Sequence, residues 1–236
     1  MERKMILTHG DYLRLRSRGG LVVVAGPMCA GKSTVLADIV FFAANTDTIF
    51  NRHLLCCPET DTRTKDVLNP REDSRKYSIR KFKSLSEIVN VVERETDHPY
   101  GIVLVDESHF PNSDEVISMV ASLLRIRPRM LLVLGMLNQR ADGKYWPVYR
   151  DLVTIFRLNH EDGNLILLTA RCDVDDKTCP TPATHTYFEG KLPADGICPG
   201  ASLYHPMCEA HWRMAQKLGW SPETGFSVAN VISIGR

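Results

Sequence analysis

The stretch LVVVAGPMCAGKST, residues 21 to 34, constrains the fold more than any other. An aliphatic run leads straight into a turn framed by Gly26 and Gly31, then into Lys32, Ser33 and the helical pattern STVLADIVFFAANT. Runs of that kind mark strands buried on both faces of a parallel sheet. A glycine-rich turn that opens a helix offers its N–H groups to phosphate. Gly26, Pro27, Met28, Cys29, Ala30, Gly31, Lys32 and Ser33 together satisfy G-x-x-x-x-G-K-[ST]. In that pattern Lys32 brings a mobile positive charge to the phosphates, and the Ser33 hydroxyl is a magnesium ligand.

Further aliphatic runs recur at helix-wide intervals: HLLCC (53–57), IVLVD (102–106), MLLVLG (130–135) and LILLT (165–169). Between them lie helical patterns such as LSEIVNVVERE, so the expected class is α/β, a parallel sheet with crossover helices. From about residue 170 the texture changes to Cys, Pro, Thr and Gly with little periodicity. A segment so poor in apolar residues needs something other than its own core to hold it. Of the seven cysteines, Cys172, Cys179, Cys198 and Cys208 fall in this last third, a clustering that suggests metal. Cys29, Cys56 and Cys57 read as small buried hydrophobes.

With 29 basic and 28 acidic residues in 236, the net charge of +1 gives no bulk basicity for nonspecific nucleic-acid binding. No apolar run approaches the ~18 residues of a membrane span, and MERKMILTHGDYLRLRSRGG has no hydrophobic core of a signal peptide. The expectation is a cytoplasmic protein with neither membrane nor nucleic acid as partner, its N-terminal charges on a solvated face.

Magnesium opposite Ser33 needs a carboxylate on another strand, and Asp106 at the end of IVLVD supplies it. Glu107 is then free for a second task. In a motor the carboxylate beside such an Asp polarises water, whereas in a kinase it takes a proton from a substrate hydroxyl. The Asp-Glu-Ser-His sequence at 106–109 matches one helicase group, but that reading needs a second lobe and a Ser-Ala-Thr element, and the next strand ends LGMLNQR.

GPMCAGKS, with Pro27 and Met28 after the first glycine, resembles the phosphate loop of the type II thymidine kinases. CPETDTR (57–63), DESHF, LLTARC, PTPATHTYF and YHPMCEAHW are similar to further motifs of that family, in the same order, so the likeness spans roughly residues 20 to 212. It implies a P-loop (RecA-like) core with a small zinc-binding lasso domain, acting with ATP and Mg²⁺ on the 5′-hydroxyl of thymidine or a related pyrimidine deoxynucleoside. The expected division is an N-terminal extension (1–19), a nucleotide-binding α/β domain (20–170), a zinc-binding lasso domain (171–215) and a C-terminal tail (216–236). Carried over by residue, the resemblance makes Glu107 the general base, places Asp106 and Asp61 on the magnesium side and puts Arg63 at the phosphates. Met28, His109, Phe110, Thr186 and Tyr204 would contact the nucleoside. A homotetramer is implied as well.

For zinc the candidates are Cys172, Cys179, Cys208 and His211, and the Cys-x-x-His pair closing YHPMCEAH has the spacing of half a structural site. Six residues separate Cys172 from Cys179, where the family has two. Cys198, His185 or His205 are alternative ligands.

The chain departs from the family at four places. His109 stands where a Gln is usual, as a titrating contact or a hydrogen-bonding substitute. GMLNQRADGKYWP lacks the usual Asp and Phe, leaving Tyr145 or Trp146 to supply an aromatic face. KDVLNPREDSRKYSIRKF (65–82) reads as a solvated flap, and the basic residue the family has shortly after Thr186 is absent, Tyr187 and Phe188 following instead. Base specificity is the property these changes bear on. The alternatives are a kinase of another nucleoside and a P-loop ATPase whose zinc knuckle acts on nucleic acid.

Overall fold

The computed structural model describes residues 6–46, 52–61, 67–68, 76–159, 164–174, 178–192 and 203–226. Its chain divides into two compact units: one takes the described residues of Met1–Ala25, Gly31–Met136 and Pro147–Leu167, the other those of Gly26–Ala30, Leu137–Trp146 and Leu168–Arg236. Among the described residues, no helix is long and apolar enough to cross a membrane.

In chain order the first unit holds α1 (His9–Arg18), β1 (Gly20–Gly26), α2 (Lys32–Ala44), β2 (His53–Pro58), β3 (Val67–Leu68), β4 (Tyr77–Ser78) and β5 (Arg80–Phe82). It continues with α3 (Leu85–Arg94), β6 (Ile102–Val105), α4 (Ser113–Ile126), β7 (Leu131–Leu137), α5 (Pro147–Ile155) and β8 (Leu165–Leu167). The expected parallel α/β class is what forms: a sheet of order β5-β2-β6-β7-β1-β8. Leu54 lies opposite Val103, Val103 opposite Leu132, and Val24 opposite Ile166, all in parallel register. Burial explains the sequence texture, since β6 and β7 are buried at every position and β1 from Leu21 onward. Asp61 after β2 and Asp106 after β6 both leave carboxyl ends of strands, where open α/β sheets bind ligands.

Described parts of the segment read as a solvated flap are packed, and the N-terminal segment packs one face while its Arg14 and Arg18 stay exposed as expected. In 65–82, Leu68, Ile79 and Phe82 are buried, and β5 completes the sheet edge with Cys57 opposite Lys81. A charged strand can serve there because only one of its neighbours is a strand, and the charges discourage further pairing. At the N-terminus, α1 starts on a capping box between Thr8 and Asp11. The buried Asp38 carboxylate accepts from the amides of Ile6 and Leu7 at 2.8 and 3.0 Å, and Tyr12, fully buried, stacks on Phe42.

The second unit holds β9 (His185–Phe188), β10 (Tyr204–Met207), α6 (Glu209–Leu218), β11 (Trp220–Ser221) and β12 (Gly225–Phe226). β9 and β10 form an antiparallel pair with Thr186 opposite Pro206 and Phe188 opposite Tyr204. The segment does gather an apolar cluster, Cys172, Val174, Ala183, Tyr187, Met207, Cys208, Ala215 and Trp220. Two of those members are cysteines with polar neighbours, so the cluster and the suspected metal site are the same place.

Candidate active site

In the first unit α2 begins at Lys32, and its N-cap Gly31 has φ +87°, a left-handed conformation that glycine adopts without strain. Lys32 is 8% exposed. Ser33 Oγ donates to Asp106 Oδ2 at 3.1 Å, and the Glu107 amide donates to Asp106 Oδ1 at 2.9 Å. The carboxylate also presses on the backbone of β7: a Cβ at Gly135 would lie 2.8 Å from Asp106 Oδ1. Burial pushes the Asp106 pKa up; the Glu107 N–H, the Ser33 hydroxyl and the Lys32 charge oppose the shift, while Asp61 adds to it. Two carboxyl groups held near one another and out of water form a site whose charge favours a cation.

Glu107 has φ +52°, a strained conformation for a non-glycine residue. Such strain persists only where the surroundings hold it, and it recurs at functional sites. The Glu107 side chain is 14% exposed, with its Oε2 3.6 Å from His109 Nε2. The His109 ring lies 4.3 Å from that of Phe110. Asp61 is buried beside Lys81, whose ammonium donates to the Asp61 carbonyl and lies 3.9 Å from its carboxylate. Arg63 lies outside the described residues.

The turn Gly26–Ala30 belongs to the second unit. Gly26 admits no side chain, because a Cβ would sit 2.6 Å from the Leu168 carbonyl oxygen. Met28 and Thr186 are brought together: the Met28 amide donates to Thr186 Oγ1 at 3.0 Å, and both residues are buried. Tyr204 packs its ring 4.9 Å from Phe188. Cys29 differs from the expectation of a buried hydrophobe, being exposed with φ +60°. Cys56 and Cys57 are buried as expected.

Cys172, Cys179, Cys208 and His211 converge, with their ligand atoms all within 4.8 Å of one another. Cys172 Sγ lies 3.4 Å from His211 Nδ1 and accepts from the Cys208 amide at 3.3 Å. The six residues between Cys172 and Cys179 do not keep the two sulfurs apart. Three thiols and an imidazole at this spacing suit a tetrahedral soft-ligand ion, zinc above all. Of the alternative ligands, His185 stacks on Trp212, and His205 lies between Asp173 and Glu189 at 3.2 and 3.5 Å. Cys198 is outside the described residues.

The sequence model of the thymidine kinase family matches residues 19–212. The chain belongs to the thymidine kinase family. That is a family of phosphotransferases acting on nucleosides, and the match takes in the phosphate turn, the Asp106–Glu107 pair and the cysteine cluster alike. No curated protein matches the chain. Among solved structures, the ATPase DotB of Legionella pneumophila is similar over 67% of this chain and 40% of its own, at 19% identity and a TM-score of 0.38. The chain thus spans well under half of that ATPase, and so slight a likeness bears on neither substrate nor mechanism.

Two features of this thymidine kinase family member escape sequence reasoning. Lys81 sits on β5, in a stretch whose many charges hide it, yet it is the cation beside Asp61. It also contacts Cys57, whose thiol is nonetheless pushed up to about 11 by burial. Trp212 is the other: it follows His211 in sequence, and its indole donates to the carbonyl of Ala141, 71 positions away.

Proposed function

We propose that this chain transfers the γ-phosphoryl group of ATP to the 5′-hydroxyl of thymidine or a related pyrimidine deoxynucleoside. The observation that carries the reading is the Ser33–Asp106–Glu107 arrangement. The helix-start hydroxyl is bonded to one carboxylate, and the next residue holds a second, mostly buried carboxylate in a left-handed backbone. Lys32 and the amides of the turn bind the phosphates, with Arg63 as a further cation. Ser33, Asp106 and Asp61 are the residues that would hold Mg²⁺, which supplies charge neutralisation when bound. Glu107 accepts the proton of the 5′-hydroxyl; the 5′-oxygen then bonds to the γ-phosphorus as the bond from that phosphorus to the β,γ-bridging oxygen breaks, releasing ADP. His109 and Phe110 beside the base, with Met28, Thr186 and Tyr204, would line the nucleoside. We assign Cys172, Cys179, Cys208 and His211 to a structural zinc, and we propose a cytoplasmic homotetramer.

The deciding measurement is a panel of nucleosides with ATP and magnesium, read by product mass. A deoxynucleoside monophosphate from thymidine is the expected product. ADP release that responds only to single-stranded DNA or RNA would overturn the kinase reading, and a different nucleoside as sole substrate would confine the error to the base. That second outcome is kept open by GMLNQRADGKYWP, where Tyr145 is 55% exposed and Trp146 is buried.

For the metal, elemental analysis should find about one zinc per chain, lost in Cys208→Ala. Because three of the four ligands lie in or against the apolar cluster of the second unit, chelation should expose that unit to protease. A metal-free protein that melts at the same temperature would remove the zinc assignment.

A further inference from the structure

The carbonyl of Ala141 accepts two hydrogen bonds from one helix: Trp212 Nε1 donates at 3.2 Å and Gln216 Nε2 at 3.0 Å, both from α6. Close packing accompanies the bonds. Gly143 has φ +82°, and a Cβ there would stand 2.5 Å from Trp212 Cη2, so the indole occupies the space a side chain would take. The same indole stacks on His185, with centroids 4.8 Å apart and planes 27° apart. α6 is itself held at its first turn, since Cys208 is its N-cap and His211 lies within it. Leu137–Trp146, α6, the Gly26–Ala30 turn and Thr186 all belong to one compact unit.

The loop so held is short and internally bonded, with the Arg140 amide donating to Lys144 O, the Gly143 amide to Arg140 O and the Trp146 amide to Asn138 O. It follows β7 in the chain and presents an exposed Tyr145, while Arg140 lies 6.0 Å over the Trp146 ring. Its conformation therefore sets where two aromatic rings and a guanidinium stand. A glycine-bearing loop of nine residues would wander without an outside tether. The tether is on the helix that begins at the cysteine cluster.

We propose that Trp212, assisted by Gln216, is a positioning residue that fixes the 138–146 loop and, through it, the affinity for the nucleoside. The second half rests on the nucleoside kinase reading above; the first does not. The metal-anchored helix then has two tasks, to close its own unit and to hold the loop that presents Tyr145 and Trp146.

The test compares wild type with W212A, W212F and Q216A in the full chain. Deuterium uptake of 138–146, zinc content, and KM for thymidine and for ATP are read on each. W212A should speed uptake in 138–146 by about tenfold, as expected for loss of a buried hydrogen bond and its packing, and raise the KM for thymidine by about tenfold with that for ATP within about twofold. W212F, which keeps a smaller aromatic ring and loses the N–H, and Q216A should each give a smaller change in the same direction at unchanged zinc. Should W212A lose zinc and unfold, W212F and Q216A decide, since each removes a single donor to Ala141. Unchanged uptake in both overturns the tether. Faster uptake with thymidine and ATP affected equally overturns the link to the nucleoside. A wild-type protein that turns over no nucleoside defeats the kinase reading instead, and the uptake comparison still judges the tether.

Discussion

Glu107→Gln is expected to lower turnover by roughly 10²–10⁴-fold, the range that proton transfer by a positioned side chain contributes. ATP binding should stay as it was. The substitution keeps size and shape and leaves the backbone in place, including the bond from the Phe110 amide to the carbonyl of residue 107. What it removes is the carboxylate of the residue that follows Asp106, 3.6 Å from His109. Since Glu107 already holds a left-handed φ, no new strain is introduced by an amide of equal length. Single-turnover kinetics should show the loss in the chemical step, with nucleotide dissociation unchanged. If the variant retains more than about a tenth of wild-type turnover, the proton has another acceptor, and His109, 3.6 Å from Glu107, becomes the residue to replace next.

The sheet was legible because parallel strands covered on both faces leave uninterrupted aliphatic runs, and all five such runs are strands in the sheet. β5 was not, for the opposite reason: an edge strand of sequence Arg-Lys-Phe needs only one buried side chain, and Phe82 alone carries no periodicity. The phosphate turn and Asp106 were readable because their chemistry fixes both residue type and place, a glycine-framed turn after one strand and an acid after another. The four zinc candidates were readable from residue type, but their convergence was not, since nothing in DVDDKT tells how a six-residue spacer folds. Lys81 and Trp212 act through contacts far off in sequence, Lys81 with Asp61 and Trp212 with Ala141, and a single sequence encodes such pairs with no local mark. Cys29 shows the limit in the other direction. Its residue type suggested burial, and the geometry of the turn overrode it.

Asp106→Asn separates what this carboxylate does for catalysis from what it does to stability. Turnover should fall by at least roughly 10–100-fold, the usual cost of losing a group that supports a bound metal. The melting temperature of the ligand-free protein should hold steady or rise. Burial raises the Asp106 pKa in the folded chain above its ordinary value of 3.8. A carboxyl raised in this way favours the fold while protonated, a contribution complete below the unfolded pKa and lost as pH rises through the folded one. Near neutral pH the ionised group is therefore a burden on the ligand-free protein, one that the proposed magnesium would relieve. An amide of the same shape is neutral at every pH and still has an oxygen to accept from the Glu107 N–H or Ser33 Oγ. Wild type should accordingly gain on the variant as pH is lowered toward 4, with the two converging or crossing. It should also gain on adding magnesium with ADP, which the variant answers weakly. The measurement is a pair of melting curves at several pH values, with and without magnesium and ADP. A ligand-free variant that melts more than about 2 °C below wild type near pH 7, on the order of 1 kcal/mol for a chain of this size, would show that Asp106 holds the fold together in its charged form and that its buried charge is not reserved for a ligand.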